Sequence, residues 1–456
     1  MQRRLPLALN VKVVLAAIVL QAIAGLVLGL PGHLSSDSIV QLYEARTLEF
    51  ISFQPPLMSL LLRAMDASVP GTALFVVLDQ LLLTTSFVLL LGERGPALRR
   101  PAAVAAAIVV LNPLLLAYTG IVWKDVLMSH LAAFGYVCLY LASRRTPGHK
   151  RIAWALAAVF ALSLAAALRQ HALLLAIPGA TFAAYLLARR RVAQTSLTIV
   201  FSAVIVGLNV GIIAYADEVA VGEKIPRMGA GLRSLTIFDL AGIAANGGAI
   251  PDAAVATQVD TALVPFYTPL RNDPLPPPVK GSALWNSETR DLLSLWGRSI
   301  LNSPRAYLSH RSAHFWALLW KSGSESLCTP VFAGVQASVY VPSLHRDIVP
   351  ELRLQGRSDL RDRRLAARQL QMMGTPVFNH VFWALVLFAS AIVHVRRGGA
   401  GALVVFAASA IAFALAFSVI GISCEFRYIY VLPVAATLLL FVLATAPRPG
   451  GNPAHE

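Results

Sequence analysis

Ten long apolar runs dominate the sequence and restrict the chain to folds that cross a membrane. A bilayer core is about 30 Å thick and a helix rises about 1.5 Å per residue, so a span needs about 20 mostly apolar residues. Only 13% of the 456 residues are charged, against about 25% in an average soluble domain, which excludes an ordinary cytosolic enzyme. The sequence therefore predicts an all-α polytopic membrane protein with about ten transmembrane helices, at residues 9–30, 71–91, 101–119, 126–142, 152–168, 172–188, 195–215, 376–395, 401–420 and 428–446.

The distribution of basic residues predicts the orientation. With the N-terminus inside, the short cytoplasmic segments hold 16 basic residues and the short outer loops hold five. This excess obeys the positive-inside rule. The formal charge of +15 is therefore explained first by membrane topology, and no nucleic-acid partner is predicted. The first run is long and no small-x-small site follows it, so an uncleaved anchor is expected. The predicted localisation is the inner (plasma) membrane, with both termini cytoplasmic.

Residues 216–375, the long segment, separate the first seven predicted spans from the last three. Long loops cross the membrane regardless of charge, so this segment is predicted to be a mostly helical extracytoplasmic domain. The remaining chain divides into a transmembrane catalytic module at 1–215, with a first outer loop at 31–70, and C-terminal spans with a short cytoplasmic tail at 376–456.

Three patterns predict structure inside the long segment. Ser303 followed by Pro304 is typical of a helix start. Residues 269–278 contain five prolines and predict an extended linker or a flexible cover. Leucines alternate with arginines over residues 351–372, which predicts an amphipathic helix on the outer membrane face.

Four short outer segments carry the ionisable residues that are candidates for chemistry. Ser36 predicts the cap of a short surface helix, with Asp37 in its first turn. Three of the four segments also have a structural explanation: a helix cap for Asp37, an interface anchor for Lys124, and an ion pair between Glu425 and Arg427. The candidate substrate-binding residues are Gln54, Lys124, Arg169, His171, Glu425, Arg427 and Tyr428.

The three cations Lys124, Arg169 and Arg427 are predicted to lie on the same side of the membrane. Two unit charges 4 Å apart interact by about 4 kcal/mol at an effective dielectric constant near 20, so such a cluster needs an anion. Arg169 in particular has no acidic neighbour in sequence, and its partner must be a distant carboxylate, a lipid phosphate or a substrate. Phosphate suits arginine and lysine, and on the outer face it would arrive on a lipid.

The arrangement of these motifs resembles the GT-C superfamily of membrane glycosyltransferases. The shared features are an acidic residue shortly after span 1, an aromatic-x-Pro-Pro-Leu stretch at 53–57, a second acidic residue in the next outer loop, and a large outer segment before the last spans. The resemblance is to the protein O-mannosyltransferase and aminoarabinose-transferase-like group, over residues 9–215, with the C-terminal half similar only in layout. In those families the Pro-Pro motif usually begins with His, where this chain has Gln54.

The resemblance implies a polyprenyl-phosphate sugar as donor and a hydroxyl of a lipid, glycan or protein as acceptor. It implies juxtamembrane helices in the outer loop, Asp37 as the catalytic general base, Asp125 as the second catalytic acidic residue, and inversion at the anomeric carbon. No cofactor is required by the sequence, although Glu425, Asp125 and His171 are candidate ligands for a divalent metal ion.

Other interpretations remain open at this stage. A transporter or lipid flippase is the alternative, because Asp79, Gln80, Gln21 and Asn209 lie inside predicted spans, although single polar residues more often form interhelical hydrogen bonds. A polymerase of lipid-linked oligosaccharides would share the same lipid phosphate.

Histidine and cysteine patterns leave two further choices. His310 and His314 are one helical turn apart and predict either a packed helix face or metal ligands. Cys328 and Cys424 either form a disulfide or remain free thiols, and Cys138 lies within a span.

Overall fold

The computed structural model describes residues 9–52, 54–93, 98–144, 148–221, 227–276, 284, 287–321, 328, 333–336, 344–354, 358–399 and 401–446. These residues form helices joined by short loops and three isolated β-bridges, without a strand in the described ranges. Arg3 and Arg4, which count among the 16 basic residues predicted to be cytoplasmic, lie outside the described ranges, as do the tail after residue 446 and the last prolines of 269–278.

The helices in the N-terminal half of the chain match the predicted spans closely. Pro113 cannot continue the preceding helix, so the third predicted span is divided into two helices at this residue. The second helix is capped by Asn112, whose Oδ1 accepts a hydrogen bond from Leu114 N at 3.0 Å. The helices are α1 (Leu9–Gly29), α2 (Ser36–Thr47), α3 (Leu57–Ser68), α4 (Ala73–Gly92), α5 (Arg100–Val110), α6 (Pro113–Tyr118), α7 (Lys124–Ser143), α8 (Gly148–Leu168), α9 (Leu173–Leu187) and α10 (Arg191–Val219).

The C-terminal half contributes shorter helices and the last spans. The long segment contains helices over Arg227–Ala245, Ala253–Gln258, Thr289–Asn302, Pro304–Trp316 and Asp359–Met372, which are α11 to α15. The final helices are α16 (His380–Arg396), α17 (Ala402–Ile420) and α18 (Val431–Thr445). As predicted, α14 begins with Pro304, and α15 covers part of the predicted amphipathic helix.

Eight helical stretches in the described residues are long and apolar enough to cross a membrane, and α16 and α18 are shorter apolar helices. The predicted fold class, an all-α polytopic membrane protein, is therefore confirmed. The tenth span begins at Val431 and not at residue 428, because Phe426–Ile429 form a 3₁₀ turn.

Helix α7 is the centre of the bundle. Almost every residue of α7 is buried, and it packs against α4, α8, α9, α17 and α18. Its first residues are Lys124 and Asp125, so the most enclosed helix of the protein begins with two ionisable side chains.

The short helix α2 is fixed to the chain that leads into α7. Its N-cap is Ser35, one residue before the predicted cap Ser36, and Asp37 lies in the first turn as predicted. The Trp123 indole N–H donates to Ser35 Oγ at 2.8 Å, and Ser38 Oγ donates to the Val122 carbonyl at 2.5 Å. These bonds hold Asp37 beside the start of α7.

The long segment is attached to the same end of the bundle. Cys328 and Cys424 form a disulfide, which decides between the two alternatives for these thiols. In the described part of the proline-rich stretch, Leu275 N donates to the Asn272 carbonyl at 2.9 Å and closes a turn, so the predicted extended conformation is wrong for these residues. The stretch is attached to the loop before α18, where Asn272 N donates to the Ile422 carbonyl at 2.9 Å.

Candidate active site

The four segments that are predicted to face outward and that carry the candidate residues meet at one end of the bundle. Arg427 Nη1 lies 2.7 Å from Asp37 Oδ2, although the two residues come from opposite ends of the chain. Arg169 contacts Asp125, and Lys124 Nζ donates to Gln54 Oε1. The residues that the sequence selects as candidates therefore lie in contact with one another or with a shared neighbour at this end of the bundle.

Arg427 is the most enclosed cation of the site. Its guanidinium contacts Asp37 on one side and Glu425 on the other, with Nε 2.5 Å from Glu425 Oε2. The same group lies over the Trp123 ring at 4.8 Å from its centroid and near the Tyr428 ring at 5.2 Å. Carboxylates and aromatic faces both stabilise a buried guanidinium, so the Arg427 side chain is held in one position.

A second buried ion pair joins Arg169 to Asp125. The Asp125 side chain is fully buried, and this contact supplies the distant carboxylate that the position of Arg169 requires. Burial lowers the pKa of Arg169 to about 10, which leaves it protonated at neutral pH. Its guanidinium also faces the rings of Tyr428 at 4.5 Å and Phe417 at 5.6 Å.

His171 and Tyr428 complete the wall around this pair. The His171 ring stacks on Phe417 at 5.6 Å between centroids, and its Nδ1 makes no hydrogen bond within the described residues. Burial raises the pKa of Tyr428 to about 12, so its hydroxyl stays neutral. The ring of Tyr428 faces the guanidinium groups of both Arg169 and Arg427.

Lys124 differs from the arginines of the site. Its buried ammonium donates to the neutral Gln54 amide and, within the described residues, makes no ion pair. Gln54 is itself fixed by Gln41, whose Nε2 lies 2.5 Å from Gln54 Oε1. An ammonium has three donors, so Lys124 has hydrogen-bonding capacity beyond the bond to Gln54.

Asp37 carries the most accessible carboxylate of the site. Its side chain is 30% exposed, whereas the side chain of Glu425 is 7% exposed and that of Asp125 is fully buried. Burial raises the pKa of Asp37, but the charges of Arg427 and Lys124 outweigh it and hold that pKa well below its usual range. Asp37 is therefore ionised at neutral pH and can be approached from outside.

Arg271 belongs to this site although the sequence analysis did not identify it. Its Nη2 lies 3.1 Å from Glu425 Oε1, and its guanidinium also contacts Asp273. The two members of the Arg271–Glu425 pair are 154 residues apart in sequence. The only signal nearby was the proline-rich stretch, which predicted a cover but gave no reason to choose Arg271.

The three candidate metal ligands do not form a cluster in the described part of the chain. Within the described ranges no three His, Cys, Asp or Glu side chains are grouped closely enough to hold a metal ion. Asp125 is occupied by Arg169 and Glu425 by Arg427 and Arg271, so the proposed set of Glu425, Asp125 and His171 is not supported.

His310 and His314 form a packed helix face. His310 Nε2 lies 2.9 Å from Asp239 Oδ1, and His310 Nδ1 lies 2.7 Å from the Tyr267 hydroxyl. His314 Nδ1 donates to the Pro269 carbonyl at 2.7 Å. This arrangement agrees with the packing interpretation and ties α14 to the proline-rich stretch.

The polar residues inside the bundle have partners in neighbouring helices or in their own helix. Asp79 Oδ1 lies 2.8 Å from His130 Nδ1, and Gln80 Nε2 donates to Gln21 Oε1 at 2.8 Å. Asn209 donates to the carbonyl of Ile205 in the same helix. Such bonds are typical of helix packing in membranes.

The disulfide lies next to the site because Cys424 precedes Glu425. Replacing both Cys328 and Cys424 by Ser is expected to destabilise the protein by about 2–5 kcal/mol, since the bridge closes a long loop. Thermal unfolding in detergent measures this loss. Gel mobility with and without reductant detects the bridge itself. The matched control is Cys138→Ala, which should show the same shift in mobility on reduction as the wild type, because Cys138 is free and buried in α7. A wild-type mobility that does not respond to reductant would contradict the bridge.

Comparison with known proteins assigns no family to the chain. No protein-family model matches it, and no curated protein sequence matches it significantly. Among solved structures, it is similar to a crystal structure of ArnT from Cupriavidus metallidurans in the apo state, at 14% identity and a TM-score of 0.35. The match covers 95% of this chain and 77% of the ArnT chain. A similarity of this size defines neither an activity nor a substrate.

Proposed function

We propose that this protein is a membrane glycosyltransferase of the GT-C kind. It moves a sugar from a polyprenyl-phosphate donor to an acceptor hydroxyl at the end of the helix bundle where the candidate residues meet. The observation that carries the proposal is the contact of one accessible carboxylate, Asp37, with the buried cation Arg427 close to the start of α7. A base and a phosphate-binding cation beside each other are what such a transfer requires. The proposed orientation places this end outside the plasma membrane, with lipid, glycan or protein as the acceptor.

The phosphate of the donor is assigned to Lys124 and Arg427. Lys124 contacts no carboxylate among the described residues, and Arg427 lies beside Asp37, the proposed base, whereas Arg169 is paired with the fully buried Asp125. Arg427 offers a planar fork and Lys124 a point charge, which together suit a phosphate group. Asp125 is therefore proposed to position Arg169 and the start of α7, and not to contact the reacting atoms.

In the proposed reaction, Asp37 accepts the proton of the acceptor hydroxyl while the hydroxyl oxygen bonds to the anomeric carbon. The bond between that carbon and the phosphate oxygen breaks, and the phosphate leaves with the electron pair. Lys124 and Arg427 stabilise the charge that develops on the leaving group. Attack from the side opposite to the phosphate inverts the anomeric carbon.

Donor binding also makes Asp37 a better base. The positive charges of Arg427 and Lys124 hold the pKa of Asp37 low in the free protein. A phosphate between these cations offsets their effect on Asp37, so the pKa of the carboxyl rises toward its usual value. The base therefore gains strength when the substrate is present.

The test uses purified protein in proteoliposomes with a panel of polyprenyl-phosphate hexoses and pentoses as donors and a cell-envelope extract of lipids and glycans as the source of acceptor hydroxyls. Release of polyprenyl phosphate reports transfer whatever the sugar is. If the lipid-linked sugar changes sides of the membrane without release of polyprenyl phosphate, the protein is a flippase and the proposal is wrong. The transporter alternative has less support, because Asp79, Gln80 and Asn209 are all hydrogen-bonded within the bundle.

Lys124→Gln is expected to raise the KM for the lipid donor about 10–100-fold, because a hydrogen bond to a charged group contributes about 1.5–3 kcal/mol. The change in kcat should be smaller, and Lys124→Arg should recover part of the loss. Steady-state kinetics in proteoliposomes give both constants. Lys12→Gln, at an exposed position of α1, is the matched control. An unchanged donor KM for Lys124→Gln would remove Lys124 from the phosphate site.

A further inference from the structure

Glu425 lies between two arginines that come from different parts of the protein. Its Oε2 is 2.5 Å from Arg427 Nε, and its Oε1 is 3.1 Å from Arg271 Nη2. Arg427 belongs to the turn before α18, whereas Arg271 belongs to the long segment. One buried carboxylate thus joins the proposed phosphate site to the long segment.

The charges around Arg427 leave little room for a further anion. Its single positive charge already contacts two carboxylates, Asp37 and Glu425. A donor phosphate would place a third negative charge at the same guanidinium, and like charges within a few ångströms repel strongly in a buried site. One of the carboxylates must then be neutralised by another cation, and Asp37 has to stay beside the acceptor as the base.

Arg271 is placed to neutralise the other carboxylate. Its guanidinium already reaches Glu425, and its second partner, Asp273, has a side chain that is 41% exposed. An ion pair with an exposed carboxylate is weak because water screens it, so the pair with Asp273 does little to hold the Arg271 guanidinium away from Glu425. The adjacent Asn272 fixes this stretch, through bonds from its N to the Ile422 carbonyl and from its Nδ2 to Ser234 Oγ.

We propose that Arg271 is a positioning residue that takes over the charge of Glu425 when the phosphate of the donor binds Arg427. The inference rests on the proposed function and extends it, because it gives the long segment a direct role in donor binding. Glu425 acts as the counterion of Arg427 in the free protein and as the counterion of Arg271 in the complex.

The test is a double-mutant cycle with Arg271→Gln, Glu425→Gln and the double variant. Undecaprenyl phosphate is the probe, and its binding is measured by the ligand-induced shift of the thermal unfolding midpoint and by donor KM. Arg271→Gln should weaken binding and raise the KM about 10-fold, or about 1.4 kcal/mol, with kcat nearly unchanged. Arg271→Lys keeps the positive charge and should bind undecaprenyl phosphate more tightly than Arg271→Gln, close to the wild type. The double variant should bind like the wild type, since a neutral Glu425 needs no second cation.

Three results separate the inference from a purely structural role. The midpoints without ligand show whether each variant is folded, and Arg346→Gln, in an exposed ion pair of the same segment, is the matched control. If Arg271→Gln binds undecaprenyl phosphate like the wild type, or if the double variant binds as weakly as Arg271→Gln, the inference is wrong. If the wild type itself neither binds this lipid nor transfers a sugar, the proposed function is what fails.

Discussion

Asp37→Asn is expected to lower kcat for sugar transfer about 10²–10⁴-fold, which is the usual contribution of a general base. Asparagine keeps the shape of the side chain but cannot accept the proton of the acceptor hydroxyl. The KM for the lipid donor should stay the same or fall, because the substitution removes a negative charge that contacts Arg427. Release of polyprenyl phosphate in proteoliposomes, measured over a range of donor concentrations, separates the two constants.

The control for Asp37→Asn is Asp66→Asn in the same outer loop. Asp66 is also an ion-paired aspartate, 2.7 Å from Arg46, but it is not in contact with the site cations in the described structure. It should keep the wild-type rate. If Asp37→Asn also retains full transfer, Asp37 is only the cap and counterion that its position in the first turn of α2 suggests.

The pH dependence gives a second check on Asp37. The pKa of this carboxyl is held well below its usual range in the free protein, so Asp37 stays ionised as the pH falls from 8 to 4. A carboxyl with an ordinary pKa near 4 would be half protonated at pH 4 and would lose about half of its activity there. We therefore expect kcat/KM, which reports the free enzyme, to show no acid limb from Asp37 down to pH 4.

The membrane-spanning framework could be predicted from the sequence because apolar length is a local property. The runs that became α1, α4, α7 and α8 have ends within a few residues of the prediction. The errors arose where backbone chemistry interrupts a run, as at Pro113 and at the 3₁₀ turn that carries Arg427. Neither interruption can be found from hydropathy alone.

The site could be predicted only as a set of residues on one side. Charge and loop length indicated that Asp37, Lys124, Arg169 and Arg427 lie there, but they did not give the pairing. Asp125 follows Lys124 directly and still pairs with Arg169, because the first turn of α7 directs it toward the loop between α8 and α9. Arg271 was missed for the same reason, since its contact with Glu425 depends on how a distant segment folds back.

Breaking the buried pair of Asp125 and Arg169 is expected to destabilise the protein by about 3–5 kcal/mol. Asp125→Asn leaves the buried guanidinium of Arg169 without its carboxylate, and Arg169→Gln leaves the fully buried carboxylate of Asp125 without its cation. The double variant removes both charges and should lose less stability than either single variant. Thermal unfolding of the three variants in detergent, combined as a double-mutant cycle, measures the coupling energy.

The exposed pair of Arg144 and Glu93 supplies the matched comparison for this cycle. Arg144 Nε lies 3.6 Å from Glu93 Oε2, and the side chains are 45% and 31% exposed, respectively. The coupling energy of this pair should therefore not exceed about 1 kcal/mol. A coupling between Asp125 and Arg169 as small as that of the exposed pair would mean that Arg169 does not hold Asp125. The carboxylate of Asp125 would then be available for catalysis, and Asp37 would have a rival as the base.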